Sequence, residues 1–259
     1  MDGLPFIHPI AATAAMAWLA VAAVFLAAGI VKGVVGLGLP TLSMALLALW
    51  MPPAEAAALL IVPSFVTNVW QLRPWPAIGP VWRRVGAMQA GIFAGTLGGA
   101  LLFGAPAGAW ATVALGIALI GYAAWGLAAR PLHVSAGRER WLGPAAGALT
   151  GVVTAFTGVF VVPAVAYLQA LNMTRDELIQ AMGLSFTTST VALGIALAGH
   201  GSYSGSLIGE SLAMLVPALI GMAAGQWIRS RLSLATFRRC FFVGLVLLGA
   251  YMIARQLAA

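Results

Sequence analysis

The chain has 259 residues, 62% of them hydrophobic and 7% charged, with thirteen Lys and Arg against six Asp and Glu. An ordinary soluble domain is about 25% charged, so this composition excludes a water-soluble globule and fits a chain whose outer skin is lipid. The basic surplus is not a nucleic-acid footprint, because it is spread thinly through short segments between apolar runs, where membrane proteins mark their cytoplasmic side.

A helix crosses a bilayer with about 20 apolar residues, so the length holds about eight to ten membrane segments and little else. Residues 1–9 lack the basic start and small-residue cleavage site of a secretory signal, so the first apolar run reads as a retained helix. That run, 11–50, is very long and is interrupted by Lys32 and by Gly36-Leu37-Gly38-Leu39-Pro40. Simple spans follow at 54–72, 85–103 and 109–128. A polar stretch around Arg130, Arg138 and Arg140 then divides the molecule. After it come a second long run, 142–171, and simple spans at 178–198, 207–228 and 237–253. The single cysteine, Cys240, excludes a disulfide framework and reads as a small space-filler near a membrane face.

The pattern is one odd run and three spans, given twice. Gly33-Val34-Val35 recurs as Gly151-Val152-Val153, and Ser64-Phe65-Val66-Thr67 as Ser185-Phe186-Thr187-Thr188, in the same order. An internal duplication follows, with residues 1–130 as the first repeat, 131–141 as a cytoplasmic linker and 142–259 as the second repeat. Three loops carry the positive charge: Arg73 to Arg84, Arg130 to Arg140, and Arg229 to Arg239. All three should be cytoplasmic. They can share one side only if 142–171 enters and returns, as two half-helices of about 14 residues each. By symmetry the first run also returns, as two longer arms. Each repeat is then a broken-helix hairpin plus three crossings. An odd number of crossings inverts the second repeat, an arrangement common in secondary transporters. The fold expected is an all-α polytopic membrane protein of two inverted repeats.

Broken helices expose backbone polar groups that hydrocarbon cannot satisfy, so they belong where they line a cavity. The first break is read at Gly36 to Thr41, with Gly38 inside it, and the second at Thr154 to Gly158, with Thr157 inside it. Half-helices restarting at Thr41 and Gly158 would turn free N–H groups and positive dipole ends on an anion. Glycines elsewhere read as close helix packing. Lys32, a cation inside an apolar run, is a substrate contact or a snorkelling side chain. Asn68 and Gln71 share one helical face, and Ser185 and Thr187 are their polar counterparts in the second repeat; they read as site hydroxyls and amides or as interhelical hydrogen bonds. Tyr167 and Gln169, closing the second hairpin, read as a gate or as interfacial anchors. A proton relay through His200 and Glu210 is the lesser reading beside two interfacial side chains. The tryptophans, Trp70, Trp75 and Trp82 among them, read as interfacial belts.

Ala28-Gly29-Ile30-Val31-Lys32-Gly33-Val34-Val35-Gly36-Leu37-Gly38 resembles the glycine-rich first helix of the sulfite exporter TauE/SafE family, in the branch that carries a lysine before the glycine. Pro63 to Gln71, Thr157 to Pro163 with Tyr167-Leu168-Gln169, and Gly183 to Thr187 are similar to the segments that follow it. The resemblance implies a permease of sulfite or other small sulfur-containing or carboxylic anions, with these residues as its site region. The family's three consecutive glycines are absent after Gly36, with Leu39 and Pro40 there instead, and Thr154 and Phe156 stand where glycines are usual, so the resemblance leaves open a cavity shaped for something other than sulfite.

The function expected is a secondary transporter, exporting small organic or inorganic anions such as sulfite or sulfonates by alternating access in a bacterial-type inner membrane. The alternatives are an anion channel, or a carboxylate rather than sulfur-anion permease. No catalytic residue, metal site, cofactor or nucleic-acid partner is expected. The serines lack a Gly-x-Ser-x-Gly setting, the three histidines are scattered, and no carboxylates pair inside spans. The expected partners are the small anion and the bilayer, with a coupling proton or cation and a homo-oligomer left open.

Overall fold

The computed structural model describes residues 9–128, 133–203, 205–229, 231 and 233–258. Arg130 and the start of the 131–141 stretch lie outside them. Among these residues ten α-helices follow one another: α1 (Pro9–Val35), α2 (Leu39–Leu47), α3 (Pro53–Gln71), α4 (Ile78–Phe103), α5 (Gly108–Ala128), α6 (Ala136–Thr157), α7 (Ala164–Gln169), α8 (Arg175–Gly199), α9 (Gly205–Arg229) and α10 (Leu234–Leu257). No strand occurs among the described residues. Among the described residues seven helices (α1, α3, α4, α5, α8, α9 and α10) are long and apolar enough to cross a membrane. Their outward faces carry exposed Leu101, Ile117, Val216, Ile220 and Leu247, as a lipid-facing surface requires. α6 begins at Ala136, inside the stretch read as a linker.

The two odd runs are hairpins, and both return to the side they set out from. Arg84, at the start of α4, bonds Glu139 in the first turn of α6 at 2.6 Å and also Leu171 O just beyond α7 at 2.7 Å. The Arg84 guanidinium holds the Glu139 carboxyl below its usual range. At the other end of the bundle Arg255, in the last turn of α10, donates to Leu49 O beyond α2 at 2.6 Å.

The arms are unequal, which corrects one expectation. The second hairpin has arms of 22 and 6 residues rather than two of about 14. Its break is also displaced. The Thr154–Thr157 stretch does not interrupt the helix, because Thr150, Thr154 and Thr157 donate their hydroxyls to the carbonyls of Ala146, Thr150 and Val153 four residues back. Gly158, with φ +65, is the left-handed cap that ends α6, and no half-helix restarts there. The next helix starts at Ala164, after the buried apolar segment Val159-Phe160-Val161. The first break falls where expected: α1 ends at Val35, Gly36 and Gly38 take φ of +78 and +109, and α2 restarts at Leu39, two residues before Thr41.

The main packed helix pairs have counterparts five helices on. α1 packs on α9 as α6 packs on α4; α3 meets α9 as α8 meets α4. Gly221 faces Leu26 and Ile30 while Gly225 faces Ile30 and Gly33, so α1 and α9 run parallel. Gly147 and Gly151 face Met88, Ile92 and Thr96 in the same rising order, so α4 and α6 run parallel too. In contrast, Gly183 meets Asn68 and Gln71 while Gly194 meets Ile61, so α3 and α8 are antiparallel. Gly116 meets Gly249 and Gly126 meets Phe242, so α5 and α10 are antiparallel.

Pro63 interrupts the α3 ladder, since it has no N–H to give to Leu59 O. Ser211 of α9 repairs the gap: its hydroxyl donates to Leu59 O at 2.8 Å and accepts from Val62 N at 3.1 Å. Ser211→Ala should therefore leave a fully buried carbonyl unpaired and cost about 1–2 kcal/mol. Ser211→Cys, which keeps a weak donor, should recover part of that. Chemical unfolding in detergent micelles reads both; an unchanged Ser211→Ala midpoint would mean that Leu59 O finds another donor.

Candidate functional site

The end of α1 and the end of α3 converge on a cavity of about 650 Å³. Val34 to Leu37, the end of α1 and the start of the first break, form one wall, with Lys32 at its base. Trp70 and Gln71 of α3 form the next, Ile179 and Met182 of α8 the third, and Met222 and Gln226 of α9 the fourth. Gln169 reaches in from the second hairpin.

Lys32 does not snorkel. It is 4% exposed, and its ammonium donates to Asn68 Oδ1. Asn68 Nδ2 passes the chain on to Thr190 Oγ1 at 3.3 Å, and Thr190 donates to Phe186 O at 2.7 Å. A buried cation is tolerable only with partners of this kind. Here the partner is a neutral amide, and among the described residues no carboxylate pairs with Lys32.

The rest of the lining has the same sign. Arg73, Arg175, Arg229 and Arg238 line the cavity together with Lys32, and among the described residues no carboxylate does. Arg73 lies 3.9 Å above the Trp70 ring, which fixes the guanidinium at the rim. Trp70 is thus more than a membrane-belt residue. Arg73 comes from the first of the three basic segments that charge alone placed on one side, and Arg229 and Arg238 from the third, while Arg175 opens α8 outside all three. Their convergence on one mouth joins Arg73 to Arg229 and Arg238, while the Arg84–Glu139 pair joins the second segment to the first.

Of the residues singled out from sequence, Lys32, Gly36, Gln71 and Gln169 line the cavity. Asn68 stands directly behind Lys32. Gln71 spends its Nε2 donors on Gly36 O at 3.2 Å and Ile179 O at 3.3 Å, so it ties the break to α8. Gly38 caps α2 behind the wall, and Thr41 in the first turn of α2 is fully buried, its hydroxyl without a hydrogen-bond partner among the described residues. The remaining candidates lie elsewhere. Thr154 and Thr157 bond their own helix, and Gly158 packs on Met44. Ser185 receives Gln89 Nε2 at 3.1 Å, Thr187 donates to Gly183 O, and Tyr167 donates to Glu139 O at 3.3 Å. The cavity therefore contains the first break but not the second. His200 is bonded to Ala196 O, and Glu210 lines a separate groove beside Trp18.

Sequence reading missed Gln226 and the arginines at 73, 175, 229 and 238 as parts of this site. Arg73, Arg229 and Arg238 were visible as topology marks. Only the parallel register of α1 and α9 turns the end of α9 and the start of α10 into the cavity's wall.

Membrane-length apolar helices around a polar cavity, with two hairpins that return to their own sides, define a multi-pass membrane protein. The chain belongs to the sulfite exporter TauE/SafE family, whose model matches residues 21–252. No curated protein and no solved structure matches it.

Proposed function

We propose that the protein is a secondary transporter of small anions, built as two inverted repeats, 1–130 and 142–259, joined by the segment 131–141. The observation that carries this reading is the cavity lined, among the described residues, by four arginines and Lys32 and by no carboxylate, with Lys32 buried at its base. Such a lining stabilises an anion by charge, and low-dielectric walls strengthen that attraction. Family membership points to sulfite or other sulfur-containing anions. Apolar wall residues such as Trp70, Met182 and Met222 also suit a short carbon skeleton, as in a sulfonate. A carboxylate is the competing substrate.

The inverted relation is supported by the pairing of helices. A helix and its own counterpart, α3 with α8 and α5 with α10, run antiparallel, as a two-fold axis in the membrane plane requires. Rocking about these central seams would open the Lys32 cavity to alternate sides. The basic end faces the cytoplasm of a bacterial-type inner membrane on the charge rule, and the cavity opens there, as an exporter awaiting substrate would.

Countertransport in proteoliposomes tests the reading. Saturable uptake of sulfite, a sulfonate or a short carboxylate, stimulated by internal anion, is the expected result. Linear, non-saturating flux indifferent to the internal anion would make the protein a channel. No flux for any of these anions, with folded protein, would end the transporter reading.

A further inference from the structure

Arg238 belongs to two spaces at once. It lines the central cavity, and it also lines a groove of about 540 Å³ that opens outward between the end of α5 and the start of α10. Phe242 forms the groove's floor, 3% exposed and edge-on to Tyr122 at 5.3 Å. Gly126 sets the depth: a Cβ there would lie 2.2 Å from the Phe242 ring. Leu127 and Val243 are exposed apolar walls. Above them stand Arg238, 5.9 Å over the Phe242 ring centroid, and exposed Arg239. Among the described residues neither arginine has a carboxylate partner.

We infer that this groove binds an anionic phospholipid, its phosphate held by Arg238 and Arg239 and one acyl chain laid against Leu127, Phe242 and Val243. Basic pockets between helices at the cytoplasmic interface select anionic headgroups. A zwitterionic lipid brings its own ammonium against the arginines and gains less. A free phosphate gains nothing from the apolar wall, and a chain without a headgroup gains nothing from the arginines; a phospholipid of net negative charge uses both. Because Arg238 also faces the cavity, lipid in the groove shares a cation with whatever anion the cavity holds.

The test is native mass spectrometry of the delipidated protein in detergent, offered phosphatidylglycerol and phosphatidylcholine of equal chain length. The wild-type protein should retain phosphatidylglycerol selectively. The double variant Arg238→Gln, Arg239→Gln should lose about thirtyfold in that retention, the effect of two interfacial arginines. Arg138→Gln with Arg140→Gln, which removes the same charge elsewhere on this end, should leave it intact. Val243→Trp, which keeps both arginines but fills the apolar wall, should also lower retention, and its thermal midpoint shows whether it is folded. Equal retention of the two lipids by wild type would overturn the site. So would an equal loss in the Arg138/Arg140 control, unaltered retention in folded Val243→Trp, or displacement of the lipid by glycerol phosphate at the same concentration.

Discussion

Lys32→Met should weaken binding of the transported anion by about ten- to a hundredfold, the range that one charge-assisted hydrogen bond commands. Methionine has nearly the volume and flexibility of the lysine stem, so the change removes the ammonium while keeping the packing. Lys32 is chosen over the arginines because it alone is both buried and at the cavity's base, where water competes least with an anion. Asn68 Oδ1 loses its donor in the variant, which costs some stability, so the thermal midpoint belongs beside the binding curve. The informative comparison is Asn68→Ala. It frees the ammonium of its holder while keeping the charge, so it should lower affinity less than Lys32→Met does. Arg73→Gln, at the rim, should lower affinity less still and should make binding less sensitive to salt, since exposed charges are screened and buried ones are not. Calorimetric or thermal-shift titration with sulfite and a sulfonate reads all three. Full affinity in a folded Lys32→Met protein would remove Lys32 from the site and leave the arginine rim as the anion's only cationic contacts.

The legible part of this molecule is the part written in one dimension. Apolar runs gave the crossings, because hydrocarbon demands unbroken stretches of a set length. Charged loops gave the returning hairpins, and Arg84 bridging Glu139 and Leu171 O is the physical form of that inference. Gly36 and Gly38 marked the first break correctly, since positive φ there admits little else. The second break was misplaced by a chemical ambiguity. Threonine favours turns when its hydroxyl competes with the backbone, yet in α6 the same hydroxyls bond back along the helix and leave it whole. The site was legible only in its local half. Lys32, Asn68 and Gln71 announce themselves as polar groups in apolar runs. Arg175, Arg229 and Arg238 look like ordinary interfacial charges until the register of helices far apart in sequence brings them to one mouth. Ser211 is equally silent, because its role depends on a proline in a helix 148 positions earlier in the chain, as the difference 211 − 63 shows.

The largest stability effect expected anywhere in the protein lies away from the site, in the two glycine seams. A Cβ at Gly151 would stand 2.3 Å from Ile92 O and 2.5 Å from Thr96 N; at Gly221 it would stand 2.1 Å from Leu26 O. These neighbours are backbone, so no rotamer can move aside. The helices must separate along their length, and each seam holds several such contacts: Gly91, Gly95, Gly147 and Gly151 in one, Gly29, Gly33, Gly221 and Gly225 in the other. Small residues allow this approach in lipid, where association rests on van der Waals packing rather than on the hydrophobic effect. Gly151→Leu should therefore cost more than the about 1–3 kcal/mol of ordinary overpacking, and should cut the yield of folded, monodisperse protein several-fold. Gly151→Ala should show a smaller loss of the same kind. Gly121→Leu is the matched control, since nothing lies within 4 Å of a Cβ there, and it should fold normally. Size-exclusion profiles and thermal midpoints in one detergent compare the three. Normal folding of Gly151→Leu would mean that α4 and α6 can part without loss. The seam would then be a sliding surface, and rocking about α3 and α8 would have to include it.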